Sequence, residues 1–143
     1  MEMHTEGLQW EQEIIYDQTQ SLPVNLYVRL VKDTTIAENA AMADVTELTA
    51  IEAPGYAGQA IICSPAGWTS AGTGTNDRKV TGAVVTFTAT GGDWPLSYMG
   101  VLTTTLTGTT GPLIASGLIN FGAGRAPTDG QAFGVEFVIT RAG

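Results

Sequence analysis

Residues 24–31 read VNLYVRLV, and residues 56–64 read YAGQAIICS; these two stretches decide the fold class. Side chains at alternate strand positions point to opposite faces. Val24, Leu26, Val28 and Leu30 therefore share one face of a strand, and Asn25, Tyr27 and Arg29 share the other. The intervening polar excursion, KDTTIAENAAMADVTELTAIEAPG at residues 32–55, carries most of the acidic groups of this region. Loops held by a rigid sheet are the usual place for recognition, so this excursion is the first candidate for a partner surface.

The period of two continues outward. Residues 79–89 place Ala83, Val85, Phe87 and Ala89 on one side and Thr86 and Thr88 on the other. Residues 96–106 set Leu96, Tyr98, Gly100 and Leu102 against Ser97, Met99 and Val101, and residues 112–121 offer Leu113, Ala115, Ile119 and Phe121. The apolar character of this last run on both faces predicts a central strand or one covered by another subunit. Phe133, Val135, Phe137 and Ile139 alternate most cleanly, with Glu136 and Thr140 opposite. One apolar and one polar face is the pattern of antiparallel sheets. Turn-rich separators lie at residues 65–76, 91–95, 108–112 and 122–130. Together they predict an all-β chain, an antiparallel β-sandwich of jelly-roll-like or Ig-like type, because no long amphipathic helix separates the strands.

The N-terminal residues stand apart. In EGLQWEQEIIY, residues 6–16, Trp10 and Ile14 have helical i, i+4 spacing and Thr5 is a candidate cap, yet EIIYD also fits a short strand. A short helix or extended arm over residues 1–22 is expected, followed by a sandwich domain over residues 23–143.

A chain of 143 residues suits one domain with a core that needs no disulfide. Residues 1–52 hold ten acidic and two basic side chains, so the whole net charge of −8 comes from the first third. Phosphate repels such a surface, which argues against nucleic acid and anionic membrane and favours either a basic protein partner or simple solubility. The N-terminus lacks a basic run followed by an apolar one, so no signal peptide is expected. No run is long enough to span a bilayer.

Chemistry is sparse. Cys63, the single cysteine, reads as a small buried hydrophobe, and His4, the single histidine, precedes every strand in a segment expected to be loosely held. A Ser–His–Asp or Cys–His machine needs a histidine on the scaffold, so no enzyme is expected. GTGTND at residues 72–77 lacks the order of a phosphate-binding loop and reads as a flexible turn. Asp33, Glu38, Asp44, Glu47 and Glu52 are the only carboxylates grouped closely enough to consider for glycosidic chemistry, and solvated loop charge is the simpler account. Asp33, Glu38, Asn39 and Asp44 supply oxygens for calcium without EF-hand spacing, so no metal or cofactor is assigned. Trp68 in GWTS and Trp94 in GDWPLSY either plug the ends of the sandwich or anchor a partner.

The order LYVRLVKD, a Thr- and Ala-rich acidic loop, DVTE and PGYAGQAI, then PAGWTSAG and VTGAVVTFTAT, resembles small β-sandwich structural proteins of tailed bacteriophages. The resemblance spans roughly residues 24–140 and brings no catalytic residues. It implies a virion location, in capsid or tail, for a protein made in the host cytoplasm. The expected role is a capsid cement or decoration protein that bridges subunits of the major capsid protein, with a tail adaptor or fibre-associated protein as the alternative. A homotrimer suits quasi-threefold capsid positions. The expected interface comprises Trp10, Ile14, Ile15 and Tyr16 of the arm together with Trp68 and Trp94. A carbohydrate-binding β-sandwich, resting on Trp68, Trp94 and the acidic loop, is a further alternative.

Overall fold

The computed structural model describes residues 2–71 and 78–141, and the glycine-rich tract at 72–77 lies outside the described residues. The chain is all-β, with three antiparallel sheets and one short α-helix among the described residues. In order come β1 (Glu2–Met3), α1 (Thr5–Gln12), β2 (Asn25–Val31), β3 (Gln59–Ile62), β4 (Trp68–Ala71), β5 (Arg78–Gly82), β6 (Val85–Thr88), β7 (Met99–Thr103), β8 (Leu113–Leu118), β9 (Ala132–Val135) and β10 (Val138–Arg141). A π-helical turn, Glu13–Asp17, continues α1 and ends at Gln18 in the left-handed region (φ 53°).

The largest sheet has the order β1-β8-β7-β2-β3. Cross-strand pairs Leu26↔Ile61, Val28↔Leu102 and Leu102↔Ala115 put one apolar set on a single face. That face shares a core with Val85, Phe87, Val135 and Phe137 from the smaller sheets. Gly100 is the contact point: a Cβ there would lie 3.3 Å from the Phe137 ring. The other face carries Val31, Met99, Val101 and Leu113, and Ala40 and Met42 of the excursion cover it. Both faces of β2, β7 and β8 are therefore buried, which is why residues 112–121 look apolar on both sides.

The smaller sheets are β10-β5-β4 and β6-β9. Between the pairs Thr81↔Val138 and Val85↔Val135, residues 82–84 stand opposite residues 136 and 137. One extra residue on one strand is a β-bulge. Gly82 N–H still donates to Phe137 O at 2.8 Å, so hydrogen bonding runs through the irregularity. The bulge resets the phase. Phe133, Val135, Phe137 and Ile139 keep their common face, but on the partner strand Ala83 turns outward while Val85, Phe87 and Ala89 stay inside.

Three other expectations are corrected. The segment at 65–76, expected as a turn, contains β4, paired with β5 from Trp68↔Gly82 to Ala71↔Lys79. The expected strand at 112–121 ends at Leu118, and the chain then turns through Asn120 (φ 51°) and Phe121 (φ 55°), so Phe121 is fully exposed instead of facing the core. The N-terminus is not loose. β1 pairs with β8, and Gly7 packs so tightly on β8 that a Cβ there would lie 2.4 Å from Ile114 O. Residues 2–12 of the expected arm thus belong to the chain's own packing.

Candidate functional site

The excursion at residues 32–55 was the first candidate for a partner surface, and its polar groups are largely engaged inside the fold. Arg29 is buried on the face expected to be polar. Its Nε donates to Glu47 Oε1 at 2.9 Å, its Nη2 donates to Glu47 Oε2, and its Nη1 donates to Gly108 O at 2.8 Å. Tyr56 Oη donates to Glu47 Oε1 at 2.8 Å and accepts Leu30 N–H at 2.9 Å. Burial, with the Glu47 carboxylate beside it, holds the Tyr56 phenol far above its usual range. This network ties the excursion to β2 and to the loop after β7. A guanidinium out of water is tolerated when its donors are paired in this way.

The remaining acids of the segment have local duties. Asp33 Oδ2 accepts Thr46 N–H at 2.7 Å, and Asp44 Oδ2 accepts Ala41 N–H at 2.9 Å. Glu52 receives Lys32 Nζ through both oxygens at 2.9 Å and accepts Thr49 N–H at 3.0 Å. The Glu38 backbone carbonyl accepts Thr5 N–H and so caps α1, while its side chain faces solvent. Among the described residues no group of three His, Cys, Asp or Glu side chains is placed to hold a metal ion.

The structure also joins two residues that sequence spacing could not. His4 Nε2 lies 2.7 Å from Ser116 Oγ, and His4 Nδ1 lies 3.2 Å from Glu38 O. A serine–histidine pair is the start of nucleophilic machinery. Here both side chains are buried, and neither lines the groove beside Trp68, the cleft at residues 124–134 or the cleft beside α1. The pair works as a polar tie between β1 and β8, and it corrects the expectation of a loosely held His4.

The expected interface residues separate into two sets. Trp94 is corrected: it is 4% exposed, its Nε1 donates to Pro54 O at 2.7 Å, and its ring meets Tyr56 edge-on at 5.7 Å. It is part of the core. Trp68 is half-buried, with its ring over Gly82, and its Nε1 is buried without a hydrogen-bond partner among the described residues. Trp10 is also half-buried and packs against the core edge. Ile14 is half-exposed, while Ile15 and Tyr16 are exposed.

Trp10 and Trp68 line one open groove of about 930 Å³, with Met3, Leu22, Val80 and Ile139 among its walls. Exposed Val24 stands near it, because Val24 O accepts the N–H of Cys63, which also lines the groove, whereas exposed Ile62 pairs with Asn25 and points to the opposite face of the sheet. Burial pushes the Cys63 thiol above its ordinary pKa, as expected of an unreactive cysteine. A second cleft, of about 590 Å³, lies between residues 124–127 and 131–134. A smaller polar cleft of about 330 Å³ lies where α1 faces the loop between β7 and β8. Sequence reasoning missed the exposed Leu118 and Phe121, because both continue the apolar run of β8 and only the backbone turn takes Phe121 off the sheet.

No helix among the described residues is long and apolar enough to cross a membrane. No family model and no curated protein matches the chain.

Proposed function

We propose that this chain is a non-enzymatic virion structural protein of a tailed phage, a capsid cement or decoration protein built as a β-sandwich. It acts as a homotrimer that bridges subunits of the major capsid protein. The resemblance of residues 24–140 to such proteins supplies the class. The observation that carries the reading is the apolar groove between Trp10 and Trp68, with exposed Leu22 on its wall and exposed Val24 near its edge. Contiguous apolar surface of this kind marks protein contacts, and aromatic residues in half-buried pockets are favoured anchors. Covering it with a neighbouring subunit removes that surface from water without any reaction.

The test is assembly. The purified chain should run as a trimer by light scattering. It should attach to particles that lack it, in hundreds of copies for a capsid site and a dozen or fewer for a tail site. Leu22→Ser with Val24→Ser should leave the far-ultraviolet circular dichroism unchanged while weakening trimerisation and attachment. A wild-type chain that stays monomeric and leaves particles undecorated defeats the proposal.

A further inference from the structure

We propose that the polar cleft between α1 and the loop joining β7 to β8 binds one neutral sugar residue. The proposal does not depend on the assembly reading, although the cleft adjoins the apolar groove and shares Trp10 with it.

The cleft is built by two tight contacts. Glu6 Oε2 accepts Leu113 N–H at 2.8 Å, and Gly7 sits against the Ile114 backbone, so α1 is fixed to the start of β8. On the helix side, Gln9, Trp10 and Glu13 line the cleft; on the loop side, Thr104, Thr105 and Thr110 do. Gln9 Nε2 donates to Glu13 Oε1 at 2.8 Å, which orients the amide and leaves its carbonyl and the second carboxylate oxygen as acceptors.

The loop side is shaped by Gly111. A Cβ there would lie 2.8 to 2.9 Å from Thr103 Oγ1, Thr104 Oγ1 and Thr105 Oγ1, so only glycine lets three hydroxyls gather around it. Two of these, Thr103 Oγ1 and Thr105 Oγ1, are buried with no hydrogen-bond partner among the described residues; Thr103 is enclosed behind the cleft wall, and Thr105 is the one that lines the cleft. Such a hydroxyl takes its partner from water or from a ligand.

The lining selects the ligand. Sugar hydroxyls both donate and accept, and they match a wall that mixes hydroxyls, amides and carboxylates. The half-buried indole of Trp10 offers an apolar surface to the C–H groups of a pyranose. The only charged lining groups are Glu6 and Glu13, so an anionic ligand is repelled. A cation is poorly served, since the described residues bring no three metal-binding side chains together. The volume, about 330 Å³, lies at the lower end of the range for small-molecule sites, as one ring requires.

The experiment is an amide NMR titration of the full chain with glucose, galactose, N-acetylglucosamine and glucuronate, followed by calcium. A neutral sugar should give saturable shifts at Gln9, the Trp10 indole N–H and residues 104–111, with a dissociation constant near millimolar. Glucuronate should bind at least about fivefold more weakly. Gln9→Ala and Thr104→Val change cleft groups that are not in the core, and each should weaken binding several-fold while leaving other resonances in place. Absence of shifts with all three neutral sugars overturns the proposal, as do shifts unchanged by both variants. Calcium shifts at Glu6 and Glu13 without sugar shifts overturn it in favour of a cation site.

Discussion

The core is finished differently around Trp94 and around Trp68. Trp94, Tyr56, Phe87 and Phe133 form a chain of ring contacts, from 5.7 to 6.2 Å between centroids. The end of the excursion and Tyr56 directly after it close this side, with the Pro54 carbonyl accepting the Trp94 indole N–H. Around Trp68 no comparable segment among the described residues folds over the ring, which borders the open groove, and its Nε1 has no hydrogen-bond partner among them. The same residue type, each time shortly after glycine in a turn-like sequence (GGDW and AGW), becomes core or rim according to what folds over it. A tryptophan near a turn is therefore not an interface signal until the opposite lid is known.

The largest expected effect lies in the core that both tryptophans touch. Phe137 is fully buried, with its ring against Gly100 of the central strand β7. Phe137→Ala should cost about 3–5 kcal/mol in urea unfolding, the range for an enclosed phenylalanine that leaves a cavity. A near-neutral result would mean that the groove extends into the middle of the core, and the distinction between a closed and an open side would collapse.

The tryptophans test the contrast directly. Trp94→Phe keeps a ring but removes a buried hydrogen bond and strands the Pro54 carbonyl, for an expected loss of about 1–3 kcal/mol. Trp68→Phe removes an indole N–H that has no partner among the described residues and should fall within about 1 kcal/mol of wild type. Chemical denaturation of both variants, side by side, reads the difference. Equal losses would show that the excursion contributes nothing to the closed side.

How much of this was legible depended on whether a signal was local. The alternation from Phe133 to Ile139 sits on one strand and survives, because a strand's own pleat fixes its faces. Ala83 was misplaced because a bulge is set by the pairing partner, and the partner's count of residues is invisible from one strand. β4 was hidden because it starts directly after a real turn, closed by Gly67 N–H to Ser64 O at 2.9 Å; a Cβ on Gly67 would lie 2.0 Å from Ile62 O, so the glycine also allows a close backbone approach. His4 and Ser116 are 112 positions apart, and no periodicity links them. The polar cleft depends on α1 docking beside the Thr-rich loop, which is likewise a long-range event. The exposed Ile15 and Tyr16 were within reach of the sequence, since nothing beyond a short helical segment was needed to place them.

The smallest effect sharpens the comparison at the lid itself. Glu52 sits in the turn that leads to Ala53 and Pro54, and Lys32 of the strand end reaches both its oxygens. The Lys32 hydrogen bonds, then the Thr49 N–H, hold its carboxyl below the usual carboxylate range. A carboxyl lowered in the folded state adds stability above its unfolded pKa, and that contribution disappears as pH falls through the folded value. The side chains of Lys32 and Glu52 are 34% and 31% exposed, so water and salt screen the pair and its worth stays within about 0–1 kcal/mol. Urea midpoints of wild type and Glu52→Gln should therefore differ slightly at neutral pH and converge in acid. Raising the salt concentration at neutral pH should shrink the difference in the same way. A gap that persists unchanged into acid would assign the effect of the variant to the Thr49 turn, not to the charge that fastens the lid to β2.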